Sequence, residues 1–138
     1  MNLTHFLLLL TVSTTWAQWN DDGLPPPGSP MFEAIQFQMM VNKATLEKET
    51  KKYMRQMFWD EFKYEACDGK LYDFEAYVDV LYGDKGTGRV IRARADRRFI
   101  IYQVQFATHL NEVMIRKSSV YWKFVRAQEL ICPKKFVL

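Results

Sequence analysis

Histidine is almost missing from this chain, and that one shortage removes several chemistries together. Only His5 and His109 occur, and His5 falls in a leader segment expected to be removed. A zinc centre built on several imidazoles therefore has no ligands. A Ser-His-Asp triad would have to use His109, which sits beside Leu110 on the shoulder of an apolar stripe and reads as a partly buried structural histidine. Long apolar runs are missing as well: the stretch from Phe6 to Val12 falls well short of the roughly 20 residues a membrane-spanning helix needs. The aspartates lack calcium-loop spacing, and GDKGTG, Gly83 to Gly88, lacks the spacing and the Lys-Ser/Thr ending of a phosphate-binding loop, so it reads as a plain turn. Neither sign of charge dominates. The formal net charge of +3 suits a soluble protein mildly attracted to anionic partners and falls below the basicity of a dedicated nucleic-acid binder. No metal, no cofactor and no nucleic-acid partner is expected.

Cysteine is scarce too, but its context gives it meaning. Residues 1–17, MNLTHFLLLLTVSTTWA, combine an apolar stretch, no acidic residue and a small-residue ending at Thr15 and Ala17, the pattern of a secretory signal peptide cleaved before Gln18. Export makes Cys67 and Cys132 the expected disulfide, closing a loop of about 65 residues; two free thiols, or a bridge to a second chain, remain alternatives. The sole Asn-x-Ser/Thr site begins at Asn2 and leaves with the leader, so no N-glycan is expected on the mature chain. About 120 residues then remain, enough for one domain with a real core.

Within the mature chain, residues 18–30, QWNDDGLPPPGSP, hold too much proline, glycine and short polar side chain for a helix or paired strand and read as a flexible N-terminal arm. The domain proper is residues 31–138. From Met31 to Ala66, Phe32, Ile35, Met39 and Met40, then Leu46, Tyr53, Met54, Met57, Phe58 and Phe62 recur at helical spacing. That pattern predicts one long amphipathic helix, or two with a bend near Asn42, ended by Asp68 and Gly69. Glu47 and Lys51 stand four apart as a helical ion pair, and Arg55 and Trp59 as a cation-π pair. Residues 72–82 are ambiguous between strand and helix.

Beyond Gly88, Ile91, Ala95, Phe99, Tyr102, Phe106 and Leu110 fall on an arc about 100° wide at helical rotation, so a helix is expected. Arg94, Arg97 and Arg98 lie away from that stripe, and Ile100, Ile101 and Val104 make a second apolar region on their side. Such a helix is central in a bundle or carries a patch for a partner. A last helix is expected from Ser118 through Val120, Phe124, Ala127 and Ile131, stopped by Pro133. The fold expected is all-α, a closed bundle of about four to five helices with one long amphipathic helix; the alternative is α+β with a hairpin within 72–98. Asp60, Glu61 and Glu65 are the carboxylates a small hydrolase would use, but on a helix they share one surface and do not face each other across a cleft. No enzyme is expected.

The order of features resembles the egg-lysin and acrosomal sperm-protein family of marine gastropods, over about Met31 to Ile131. KKYMRQMFW, Lys51 to Trp59, is similar to the family's long basic helix; RR at Arg97 and Arg98 running into FIIYQVQFATHL, and IRKSSVYWKFV from Ile115 to Val125, are similar in order and position. The low net charge marks a divergent member. The resemblance implies storage in the sperm acrosome, release at fertilisation, and stoichiometric, non-enzymatic binding of egg vitelline-envelope glycoprotein or the egg plasma membrane. Lys51, Lys52, Arg55, Arg94, Arg97 and Arg98 would be the basic tracks and Phe99, Ile100, Ile101 and Tyr102 the apolar patch. Homodimerisation is left open. The alternative function, from a different class, is a secreted helical carrier or toxin-like module holding a small apolar ligand in its core.

Overall fold

The computed structural model describes residues 25–132; the leader, residues 18–24 of the arm and residues 133–138 fall outside them. The described end of the arm is a turn. Ser29 donates its hydroxyl to Pro26 O at 2.7 Å and accepts from Phe32 N at 3.2 Å, capping the first helix, α1 (Pro30–Leu46), with Pro30 at its first position. The helix begins where periodicity places it, but its face is rotated and it stops at Leu46 instead of running on toward Ala66, where Phe58 and Phe62 are strand residues. Its buried face is Ala34, Phe37, Gln38, Val41, Ala44 and Thr45, while Met39, Met40 and Leu46 are exposed.

The long helix ends at Leu46. Lys48 takes a left-handed conformation (φ 54°), Thr50 caps a single turn, α2 (Lys51–Met54), and a 3-10 turn at Arg55–Met57 leads into the strand β1 (Phe58–Glu65). Glu47 and Lys51 are therefore not on one helix, and Lys51 pairs instead with Asp79 at 2.9 Å. A short strand β2 (Leu71–Tyr72) follows, then α3 (Phe74–Asp84), whose first turn is capped by the Asp73 carboxylate. The ambiguous stretch is thus helical from Phe74 onward, with Tyr72 in β2.

Four further strands complete the domain: β3 (Arg89–Asp96), β4 (Phe99–Gln105), β5 (Leu110–Ser118) and β6 (Tyr121–Glu129). The sheet order is β2-β1-β6-β5-β4-β3, with β1 and β6 parallel and the other pairs antiparallel. The fold is α+β: a six-stranded mixed sheet with three helices among the described residues. This overturns the helical bundle, and both helices expected beyond Gly88 are hairpin strands. The hairpin foreseen within 72–98 as the alternative is displaced as well, since 74–84 is helix and the first hairpin spans 89–105.

Alternation along β4 fixes the two faces of the sheet. Ile100, Tyr102 and Val104 point into the core with Val113 and Ile115 of β5 and Phe124 and Ala127 of β6; α1 and α3 close that side with Phe37, Val41, Tyr77, Val78 and Leu81. The interior is filled with aromatic rings. Phe124 lies 4.8 Å from both Phe37 and Phe58 between centroids, and Tyr77 lies 5.6 Å from both Phe62 and Phe124. Register shifts in the β1–β6, β3–β4 and β5–β6 pairings mark bulges, which bend and twist their strands around this packing. Cys67 and Cys132 are bonded as expected, joining the segment after β1 to the end of β6 where two helix ends were foreseen.

Candidate functional site

Strand alternation that buries one set of side chains presents the other set on the outer face of the sheet. There the register aligns Lys63, Arg126, Met114, Ile101 and Arg94 in one row across β1, β6, β5, β4 and β3. The centre of the row is apolar and its ends are cationic. A second row reads Glu65, Gln128, Glu112, Gln103 and Arg92, and a third Lys123, Arg116, Phe99 and Asp96. In the third, the Arg116 guanidinium lies 5.3 Å from the Trp59 ring centroid and 5.9 Å from that of Phe99, and Trp59 Nε1 donates to Arg116 O at 3.4 Å. Stacking between rings holds the arginine without neutralising it. Shallow depressions of about 280 and 70 Å³ share Ile101 and Glu112 in their walls.

The helical side of the sheet carries a buried polar cluster at the end of α3. Its members come from four elements and one loop. Asp84 ends α3; His109 lies in the loop from β4 to β5; Asn111, Glu129 and Tyr64 come from β5, β6 and β1. His109 Nε2 is 2.6 Å from Asp84 Oδ2 and its Nδ1 is 3.5 Å from Glu129 Oε1. Tyr64 donates its hydroxyl to the same Glu129 oxygen at 3.2 Å, and Asn111 Nδ2 donates to it at 3.4 Å. Glu129 Oε2 and Asn111 Oδ1 are buried without a partner. Burial pushes the Glu129 carboxyl above its ordinary value, against the opposing pull of His109, and burial with the Glu129 charge pushes the Tyr64 phenol up too.

The cluster stores charge but adjoins a packed interior. Tyr64 itself stacks on Tyr77 at 5.0 Å between centroids, and Phe106 meets the His109 ring edge-on at 5.2 Å. His109 is partly buried, as its neighbours in sequence suggest, but it does more than fill space because it bridges two carboxylates.

The residues expected to form one binding surface are dispersed. Ile100 and Tyr102 are core, 5 and 1 % exposed, whereas Phe99 and Ile101 lie on the outer face, where Ile101 is itself only 8 % exposed, so the expected apolar patch is divided between the two faces of the sheet. Arg97 and Arg98 form the β3–β4 turn, and only Arg94 of the second basic track lies in the outer rows. Lys51, Lys52 and Arg55 belong to the helical connection before β1. Arg55 bonds Asp60 at 2.8 Å and lies 4.7 Å from the Phe74 ring centroid, so Trp59 takes Arg116 as its cation in place of Arg55. The Asp60 carboxylate of the hydrolase reading is thus committed to a surface ion pair, and Glu65 stands 3.7 Å from Arg126. Sequence reasoning missed Lys63, Arg116, Lys123 and Arg126 because they align only through strand register; Lys63 and Arg126 had no shared sequence signal.

No family model matches the chain, and no curated protein matches it. Among solved structures, a conserved protein from Planctomyces limnophilus superposes with a TM-score of 0.55 at 10% identity, covering 74% of this chain and 95% of that one. An NTF2-like protein of unknown function from Shewanella oneidensis gives 0.53 at 12% identity, covering 72% and 98%. A de novo designed protein with a curved β-sheet gives 0.54 at 15% identity, covering 72% and 99%. The fold therefore resembles the NTF2-like fold, a likeness of architecture alone. None of these relates the chain to egg lysins, and the fertilisation reading loses its helical basis.

Proposed function

We propose that this is a secreted, non-enzymatic binding protein whose outer sheet face engages an acidic, partly apolar segment of an extracellular glycoprotein. The carrying observation is the row Lys63–Arg126–Met114–Ile101–Arg94, in which cationic ends flank an apolar centre whose accessible part is the half-buried Met114. A partner segment with a short apolar stretch flanked by carboxylates or sulfates matches it in charge and polarity. The stacked Arg116 adds a fixed guanidinium at one margin, and the glutamates of the second row set a limit on where an anion can lie. The Cys67–Cys132 bond supports an oxidising compartment.

The ring-filled interior disfavours the alternative of a carrier with its ligand in the core. The buried carboxylates at His109 act as fold contacts on this reading.

Retention of the mature chain on immobilised poly-glutamate tests the proposal. Retention should fall as salt rises, because exposed charge pairs are screened beyond roughly 8–10 Å near physiological ionic strength. R94E combined with R126E should lower it further, and K51E combined with K52E, on the helical side, should leave it near wild type. Loss of retention only in the helical-side pair would overturn the proposal.

A further inference from the structure

The turn from α1 to α2 and the end of α3 enclose a groove of about 700 Å³, within the roughly 300–1,000 Å³ of small-molecule clefts. Its wall includes Leu46, Lys48, Glu49, Tyr82 and Lys85. Leu46 is 62 % exposed, a large apolar side chain left uncovered within a concavity. Tyr82 donates its hydroxyl to Glu49 O, which ties α3 to the α1–α2 turn and leaves the ring as the opposite wall. Lys51 also lines the groove, but its ammonium is engaged by Asp79, which keeps it charged.

Lys48 and Lys85 stand out by their backbones. Lys48 follows the end of α1 with φ 54° and Lys85 caps α3 with φ 53°. Left-handed positions at helix ends favour glycine or asparagine, and lysine pays a steric penalty there. Two such lysines on the rim of one groove are unusual backbone outliers of the kind that point toward function. Both lysines are exposed and follow helix C-termini, where positive charge is favoured by the helix dipole.

We propose that this groove binds a single-chain anionic amphiphile, a long-chain carboxylate, with its head group at Lys48 and Lys85 and its chain along Leu46 and Tyr82. The charge of the rim selects the head group: two lysines free of the Asp79 pairing outweigh the one carboxylate, Glu49, in the wall. The concave shape selects a monomer over a bilayer, since a flat lipid surface would leave the groove unfilled. The site lies on the helical side of the sheet, so it is independent of the outer face and its test can fail while the partner-binding reading stands, or the reverse.

Titration calorimetry of the mature chain with laurate, below its micelle-forming concentration, tests this. A single saturable site is expected. K48N combined with K85N keeps residues that tolerate the left-handed turns and removes both charges; it should weaken binding roughly five- to thirty-fold, as two exposed charge contacts imply. Leu46→Ser should weaken it without removing a charge, and R94E with R126E should not affect it. Absence of saturable laurate binding would overturn the proposal. So would unchanged affinity in the K48N/K85N chain, equal affinity for dodecyltrimethylammonium, or association with anionic vesicles in the absence of monomer binding.

Discussion

At the scale of single residues, Glu129 has lopsided surroundings. One carboxylate oxygen faces Tyr64, Asn111 and His109, and the other is buried without a partner, as is Asn111 Oδ1. Because burial raises the folded-state carboxyl above its ordinary value of 4.5, the native state binds more protons than the unfolded state in the interval between those values. Stability from this group therefore falls as pH rises through that interval. Glu129→Gln removes the buried charge and with it the pH-dependent part of this group's contribution. Thermal melts of both chains from pH 4 to 8 should show the variant gaining on the wild type as pH rises. A difference independent of pH would show that the carboxyl is not raised.

Neither Asp84 nor Asn111 announced itself in the sequence. Asp84 lies in GDKG, which reads as a turn, and Asn111 interrupts an apolar strand, so each acquires meaning only when β5, β6 and α3 end at the same place. His109 was legible as a partly buried histidine because it borders Leu110. Its two carboxylate partners, 25 and 20 residues away, depend on topology.

At the scale of elements, helix and strand were confused for an identifiable reason. A spacing of four is close to one helical turn and is also two strand repeats, so Ile91–Ala95–Phe99 and Tyr102–Phe106–Leu110 satisfy both periods. The diagnostic step of three, from Phe99 to Tyr102, follows the Arg97–Arg98 turn and joins residues on opposite faces of β4. A second step of three, from Phe124 to Ala127, is produced by the bulge at Val125: Phe124 pairs with Ile115 and Ala127 with Val113, and both point inward. The turns hid as well. Their left-handed residues are Arg97 (φ 57°) and Ser119 (φ 61°), where a hairpin signal would be glycine or asparagine. By contrast the start of α1 was legible from the helical spacing of Phe32, Ile35 and Met39, although its Ser29 cap lies in the stretch that reads as a flexible arm.

The joint between α1 and the hairpin strands depends on one glycine. Gln38 accepts from the Tyr102 hydroxyl at 2.8 Å and donates to Asn42 at 3.0 Å, and Asn42 donates to Gly88 O at 2.8 Å. That bridge needs the Gly88 backbone against the helix. A Cβ at Gly88 would stand 2.7 Å from Gln38 Nε2, 2.8 Å from Phe106 Cε1 and 2.9 Å from Val104 Cγ2. Gly88→Ala should therefore cost about 1–3 kcal/mol by overpacking, seen as a lower melting temperature with faster amide exchange along α1 and β3. A melting temperature equal to the wild type would mean the strand and helix can separate at no cost.

For the whole molecule, the sheet is closed by its most distant pairing, the parallel contact of β1 with β6. It consists of Phe58 with Phe124, then Lys63, Tyr64 and Glu65 with Arg126, Ala127 and Gln128, broken by a bulge. The Cys67–Cys132 bond lies just past this contact and closes 65 residues of chain, so it restricts the unfolded state in the dimension the pairing must recover. In the chain-entropy account a loop of that length is worth about 4 kcal/mol, a large part of the roughly 5–15 kcal/mol by which a domain is stable. Cys67→Ala combined with Cys132→Ala should leave a folded chain whose denaturation midpoint falls accordingly, with β1 amides exchanging faster than those of β4 and β5. An unchanged midpoint, or loss of protection spread evenly over all strands, would place the stability of that seam in the packing of Phe58, Phe62 and Phe124 rather than in the covalent link.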